Sequence, residues 1–345
     1  MPEFTVAVLT GSGAAHLDGY FAGLASTDQV SAVVVADPSG SCEALAKKML
    51  GPKLVRFERD HQRALVDSRP PLAIVTMEAT QAAAAIQAAL EANCHVLAEK
   101  PSCVRAEDFE PLVRWADMKH RHLMLAMANR LRGTVRAARR LIQSGQIGQV
   151  YGSELHLIAD QTRLKDPSYH QSWFADRSRS GGGHLMWLGI HWIDLVTYLT
   201  GSQIQEAAGF TGIVGGQPLK IEDSAAMALR FDNGSFGTMT SGYYLDRGKQ
   251  MHVKIWGSKG WLQLELDGTG TLQWYLNDES SAQIQKYAGP ADDSSYTPLV
   301  EACVKGCLDH KAPLPITGAE SLQVLKTVFA CYRAAETGQT QRVSG

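Results

Sequence analysis

Short, wholly apolar runs separated by helical patterns fill the first third of the chain. Residues 4–9 (FTVAVL), 31–36 (SAVVVA), 54–57, 72–76 (LAIVT), 95–98 and 123–127 (LMLAM) have the length and composition of strands buried on both faces. Residues 81–92 form an alanine-rich helical pattern stopped by Asn93, and 106–120 form another. Strands alternating with helices predict a doubly wound parallel sheet with helices on both faces. Beyond residue 128 the pattern changes. Runs at 150–158, 225–231, 235–241, 252–256 and 260–266 follow through hairpin signals such as Asp232-Asn233-Gly234 and Gly257-Ser258-Lys259-Gly260. They predict a large, mostly antiparallel open sheet, joined by helices at 135–144, 297–310 and 318–337. The fold class is α/β, with one domain at 1–127 and an α+β domain at 128–345.

The first strand runs into Thr10-Gly11-Ser12-Gly13-Ala14-Ala15-His16 and then a helical pattern. The second strand closes on Asp37. Strand, glycine turn, helix, strand and acid is the order of a Rossmann dinucleotide site. Gly11 makes the tight turn and Gly13 lets the backbone approach a pyrophosphate, with Ser12, Ala14 and Ala15 completing the loop at the helix N-terminus. Asp37 is the acceptor for a ribose 2′-hydroxyl. The third glycine position holds His16, a departure from the fingerprint. A carboxylate at 37, with no cation in Pro38-Ser39-Gly40, predicts NAD over NADP. The fifth strand ends in Glu99-Lys100-Pro101. Pro101 disfavours the α conformation for Lys100, so the lysine is delivered at the carboxyl edge where open α/β sheets keep their ligands.

In the second half Gly181-Gly182-Gly183 precedes a run of helical length that ends at Gly201. The glycines allow a close backbone approach. His184, Trp187, His191 and Asp194 recur at i,i+3 or i,i+4 and are expected to share one stripe. Such a stripe is costly to bury unless it is paired or lines a site. Its two histidines and acid span nearly three turns, which argues against a metal centre, and no metal is expected. Trp173, Trp187 and Trp192 are either a platform for a sugar ring or packing groups. Arg163, Lys165, Arg177 and Arg179 either receive an anionic substrate or belong to a solvated loop shared with Asp160, Asp166 and Asp176.

Composition narrows the classes. A net charge of −2 and the lack of a Lys/Arg run exclude a nucleic-acid-binding signature. No apolar stretch reaches the roughly 18 residues of a membrane span, and the start of the chain carries no signal-peptide pattern, so a cytoplasmic location is expected. The six cysteines make no CxxC pair and read as reduced core thiols.

Glu99-Lys100-Pro101, Gly-Gly-Gly-x-Leu at 181–185 and Gly-x-His-x-x-Asp at 189–194, together with Glu222-Asp223, resemble the glucose–fructose oxidoreductase / inositol dehydrogenase / MocA family. The resemblance covers nearly the whole chain. It implies NAD as cofactor, a small carbohydrate substrate, and a homo-oligomer formed through the C-terminal sheet. It also implies that Lys100 touches the nicotinamide ribose and substrate beside Glu99, that His191 exchanges a proton with the reacting carbinol, and that Thr76 and Met77 line the cofactor. Trp173, His184, Trp187, Asp194 and Arg163 are the remaining candidates for substrate contact. Members often carry an acid at the position of Trp187 and a histidine at that of Gln81. These departures leave two readings open: a dehydrogenase or reductase of a sugar, cyclitol or sugar derivative, and an NAD-dependent glycosidase acting by transient oxidation, elimination and hydration.

Overall fold

The computed structural model describes residues 4–343 apart from 269, 278–282 and 310. Contacts divide the chain into two units. The first comprises Met1–Ala128, Ser178–Gly181 and Ser294–Leu322; the second comprises Asn129–Arg177, Gly182–Asp293 and Gln323–Gly345. Two later segments thus join the first unit.

The first unit is built on six strands: β1 (Thr5–Thr10), β2 (Ala32–Ala36), β3 (Leu54–Glu58), β4 (Leu72–Thr76), β5 (His95–Ala98) and β6 (Leu123–Leu125). Their order is β3-β2-β1-β4-β5-β6 and every pairing is parallel. The order reverses between β1 and β4, which makes the carboxyl end of β1 the topological switch point. The helices α1 (Leu17–Ser26), α2 (Glu43–Leu50), α3 (His61–Ser68), α4 (Ala79–Glu91) and α5 (Ala106–Met118) alternate with the strands. The helix Thr297–Leu308 packs on α1. Gly23 permits that contact, since a Cβ there would stand 2.9 Å from Val300 Cγ2.

The second unit holds β7 (Val150–Asp160), β8 (Ile204–Gly212), β9 (Ser224–Phe231), β10 (Phe236–Leu245), β11 (Lys249–Gly257), β12 (Gly260–Glu265), β13 (Leu272–Leu276), β14 (Gln285–Lys286) and β15 (Gln341–Arg342). Their order is β14-β13-β12-β11-β7-β10-β9-β8-β15. Only the central β7–β10 pair is parallel among the described strands. Alternation gives the sheet two characters. Leu155, Leu157, Val253, Ile255, Leu262 and Leu264 are buried on one face, on the side of α6 (Gly133–Gln143) and the helix Ile190–Thr200. The opposite face leaves Phe210 and Phe236 77% and 58% exposed.

All six cysteines are free, as expected, and five are buried. Among the described residues no helix is long and apolar enough to cross a membrane.

Candidate active site

In the first unit, parallel strands end together, so their carboxyl ends bring the expected cofactor residues to one edge. β1 delivers Gly11–Ala15, β2 Asp37, β4 Thr76 and Met77, and β5 Glu99 and Lys100. Gly13 adopts φ 71°, a left-handed conformation that favours glycine. Thr76 Oγ1 donates to the Ala15 carbonyl at 2.8 Å, tying the end of β4 to the glycine loop. Among the described residues no side chain caps the N-terminus of α1, so its first N–H groups suit a pyrophosphate. The loop fits a dinucleotide.

His16, in place of the third glycine, also has a left-handed backbone, at φ 58°. That costs a non-glycine residue roughly 1–2 kcal/mol. Its ring faces two neighbours: Nδ1 lies 3.4 Å from Glu99 Oε1, and the ring lies 5.2 Å from that of Tyr296. Glu99 Oε2 accepts from the Tyr20 hydroxyl at 2.6 Å. Burial, reinforced by the Glu99 charge, raises the pKa of both tyrosines and keeps them protonated as donors. The acid preceding Lys100 is therefore fixed by α1 and by Tyr296. Lys100 itself is buried at 3% exposure, and the Lys100–Pro101 peptide is cis.

Asp37 is already engaged by its own loop. It is buried, and its two oxygens accept from Ser39 N, Ser39 Oγ, Ser41 Oγ and Cys42 N. Burial alone would raise its pKa, but the Ser39 and Cys42 hydrogen bonds outweigh it and hold the carboxyl at about 2. A ribose hydroxyl would have to displace one of these serine contacts, because the carboxylate has about four acceptor positions. The loop does acquire a cation from elsewhere. Arg59 Nη1 donates to the Ser39 carbonyl at 3.1 Å, and the guanidinium packs over Gly40.

In the second unit the helical run does not begin as a regular α-helix. Leu185–Gly189 forms a π turn that leads into Ile190–Thr200. The wider turn breaks the 3.6-residue phase on which the expected stripe depends. The glycine run approaches protein rather than an open cleft. A Cβ on Gly183 would stand 2.1 Å from the Glu222 carbonyl, and Glu222 accepts from Gly183 N at 2.8 Å, Leu185 N at 3.0 Å and the Tyr332 hydroxyl at 2.6 Å. Glu222 thus anchors the start of the helical run.

The stripe residues separate into different surroundings. His184 is fully buried, with Nδ1 2.7 Å from Ser241 Oγ and its ring edge-on to Tyr243; burial pushes its pKa down to about 3 and keeps it neutral. Trp187 is 3% exposed, its ring 5.3 Å from Trp173 and 4.5 Å from Phe174. Trp173 is buried as well. Asp194 is 1% exposed and accepts from Arg130 Nε at 3.0 Å and Nη2 at 2.7 Å. Arg163 lies 3.4 Å from the Tyr243 hydroxyl and over the Tyr169 ring. Of the other cations in the expected anion loop, Lys165, Arg177 and Arg179 pair with Asp246, Glu336 and Glu78. Only His191 among the four stripe residues escapes full burial.

Residues missed from the sequence are His16, Tyr20 and Tyr296 around Glu99, Arg59 beside the Asp37 loop, and Arg130 behind Asp194. His16 was visible as a break in the glycine fingerprint. The partnership of Arg130 with Asp194, 64 residues away, leaves no local trace.

Known proteins resemble this chain in sequence and in fold. Residues 7–127 match the model of the oxidoreductase family with an NAD-binding Rossmann fold, and 135–263 match the GFO/IDH/MocA C-terminal domain. D-glucoside 3-dehydrogenase of Escherichia coli is 24% identical over 274 residues, 72% of this chain and 73% of that protein. 1,5-Anhydro-D-fructose reductase of Ensifer adhaerens is 25% identical over 268 residues, 74% of each. Both names describe net redox chemistry, and neither describes a glycosidase. The crystal structure of an oxidoreductase domain protein from Kribbella flavida superposes with a TM-score of 0.90 at 22% identity, covering 100% of both chains.

Proposed function

The chain belongs to the GFO/IDH/MocA family of oxidoreductases, and from that premise we propose that it transfers a hydride between a secondary alcohol of a sugar, cyclitol or sugar derivative and a nicotinamide. The observation that carries the reading is the gathering of the Gly11–Ala15 loop, Thr76, Met77, Glu99 and Lys100 at one sheet edge. The Gly11–Ala15 loop takes the pyrophosphate, and Thr76, Met77, Glu99 and Lys100 serve the nicotinamide end. Bound NAD supplies the hydride acceptor.

A secondary alcohol releases hydride from carbon only as its hydroxyl proton leaves oxygen. His191 takes that proton, since an imidazole serves as base in one direction of the reaction and as acid in the other. Lys100 orients the hydroxyl and stabilises negative charge developing on its oxygen. The His16–Glu99 pair and the Tyr20 hydroxyl position the segment that ends in Lys100. The glucoside and anhydrofructose activities named for the relatives support a pyranose-like substrate. Phe210 and Phe236 on the open face of the second sheet support self-association.

A product assay tests the reading. NAD-loaded enzyme is offered a panel of sugars, polyols and glycosides while absorbance at the NADH wavelength and released aglycone are recorded together. Stoichiometric NADH without aglycone is the expected result. Aglycone release without net NADH would replace hydride export by internal return of the hydride.

A further inference from the structure

β7 and β11 are antiparallel neighbours, and their register sets His252 opposite His156 and Lys254 opposite Glu154. Residues facing each other across a ladder leave the sheet on the same side. Here that is the face away from the buried leucines, where the two imidazoles stack with centroids 4.8 Å apart and planes 10° from parallel. His252 Nε2 lies 3.0 Å from Glu154 Oε1. One ligating atom from each of Glu154, His156 and His252 falls within 4.8 Å of the other two. The His252 backbone is held from behind by Trp192 Nε1, which donates to its carbonyl at 3.0 Å.

We propose that Glu154, His156 and His252 form a binding site for a divalent transition-metal ion of the zinc class. Two imidazoles and a carboxylate suit Zn²⁺, Ni²⁺ or Cu²⁺ rather than Ca²⁺ or Mg²⁺, which take oxygen ligands. Three protein ligands leave a fourth position for water, as in open zinc sites. Metal–nitrogen bonds of about 2.0–2.1 Å place tetrahedral ligands roughly 3.3 Å apart. Binding requires side-chain rotation to close the remaining gap, and His252 and Glu154 are 22% and 41% exposed. Binding exchanges the Glu154–His252 contact for two metal bonds.

Charges of both signs flank the site. Glu265, opposite His252, adds negative charge, while Lys254, opposite Glu154, opposes the cation. The inference stands apart from the proposed redox activity, since none of its residues serves the cofactor or the carbinol.

Full-length protein stripped with EDTA and dialysed is titrated with Zn²⁺ in competition with a chromophoric chelator, and with Co²⁺ for its visible absorption. One equivalent of Zn²⁺ per chain with low-micromolar affinity is expected, with Co²⁺ bands of low-coordinate intensity. His156→Gln and His252→Gln are each expected to weaken binding by at least about tenfold while circular dichroism stays unchanged. Should either variant misfold, the wild-type protein answers alone: Zn²⁺ must shift two imidazole resonances together with the Trp192 indole resonance. No binding by the wild-type protein, or undiminished binding by folded variants, overturns the proposal.

Discussion

The carboxyl edge of the parallel sheet and the helical run from His184 to Asp194 both carry polar groups, but they hold them differently. At the sheet edge the groups arrive on strand ends and loops, and the strand register alone brings them together. In the helical run the backbone satisfies itself, so each polar side chain is free to find a partner far away. His184 finds Ser241, Asp194 finds Arg130, and Trp187 packs against Trp173 and Phe174. A buried polar residue on a helix is thus weaker evidence for a site than one at the end of a parallel strand. His191, the stripe residue that escapes full burial, is the exception.

The largest effect expected from breaking this comparison is on turnover. Lys100→Met and His191→Ala should each lower kcat by roughly 10²–10⁴, the scale of a positioned proton-transfer group. Steady-state rates and thermal melts on the same samples check this. A His191→Ala enzyme that melts far below the parent and keeps its specific activity would put His191 among its packed neighbours.

Asp194→Ala should act on stability instead. It leaves the Arg130 guanidinium, 3% exposed, without its carboxylate, a loss of about 3–5 kcal/mol. Urea unfolding should show this deficit, with activity per folded molecule near the parent's. Trp187→Asp should cost about 3–5 kcal/mol through lost packing, with carboxylate burial added. It should not produce a better polyol dehydrogenase. Improved polyol oxidation with parental stability would restore Trp187 to a role at the substrate.

The smallest effect concerns Asp37. Its folded pKa is lowered to about 2, so its contribution to stability is full above the ordinary carboxylate value of about 4 and fades as pH falls through about 2. Acid unfolding of Asp37→Asn should show a shallower pH dependence in that window. NAD should still bind more tightly than NADP, by a margin that Arg59 narrows; Arg59→Ala should widen it. Equal affinities in direct titrations would remove Asp37 from cofactor selection.

The parallel sheet was readable because strands buried on both faces must be apolar throughout, and 72–76 and 95–98 are strands as expected. The charged helices α2 and α3 and the short strands β14 and β15 lacked so clear a signal. β8 was hidden too, since Gly209 and Gly212 interrupt its alternation. At the sheet edge, the turn at Gly13 was legible because a positive φ favours glycine, and the position of Lys100 followed from the strand that ends just before it. The occupancy of Asp37 was foreshadowed by Ser39 and Ser41 nearby, but which acceptor positions they fill depends on the folded loop. The π turn at Leu185–Gly189 escaped periodicity, because an extra residue in one turn leaves no mark on composition.

The proposed reaction moves a hydride directly from a sugar carbon to the nicotinamide. The measurement that meets it head-on is mass spectrometry of the cofactor after turnover of perdeuterated D-glucosides and 1,5-anhydrohexitols. Reduced cofactor one mass unit heavier than that from protiated substrate is expected, formed by the parent and strongly diminished in Lys100→Met and His191→Ala. Substrate turnover with a cofactor that acquires no deuterium would contradict it.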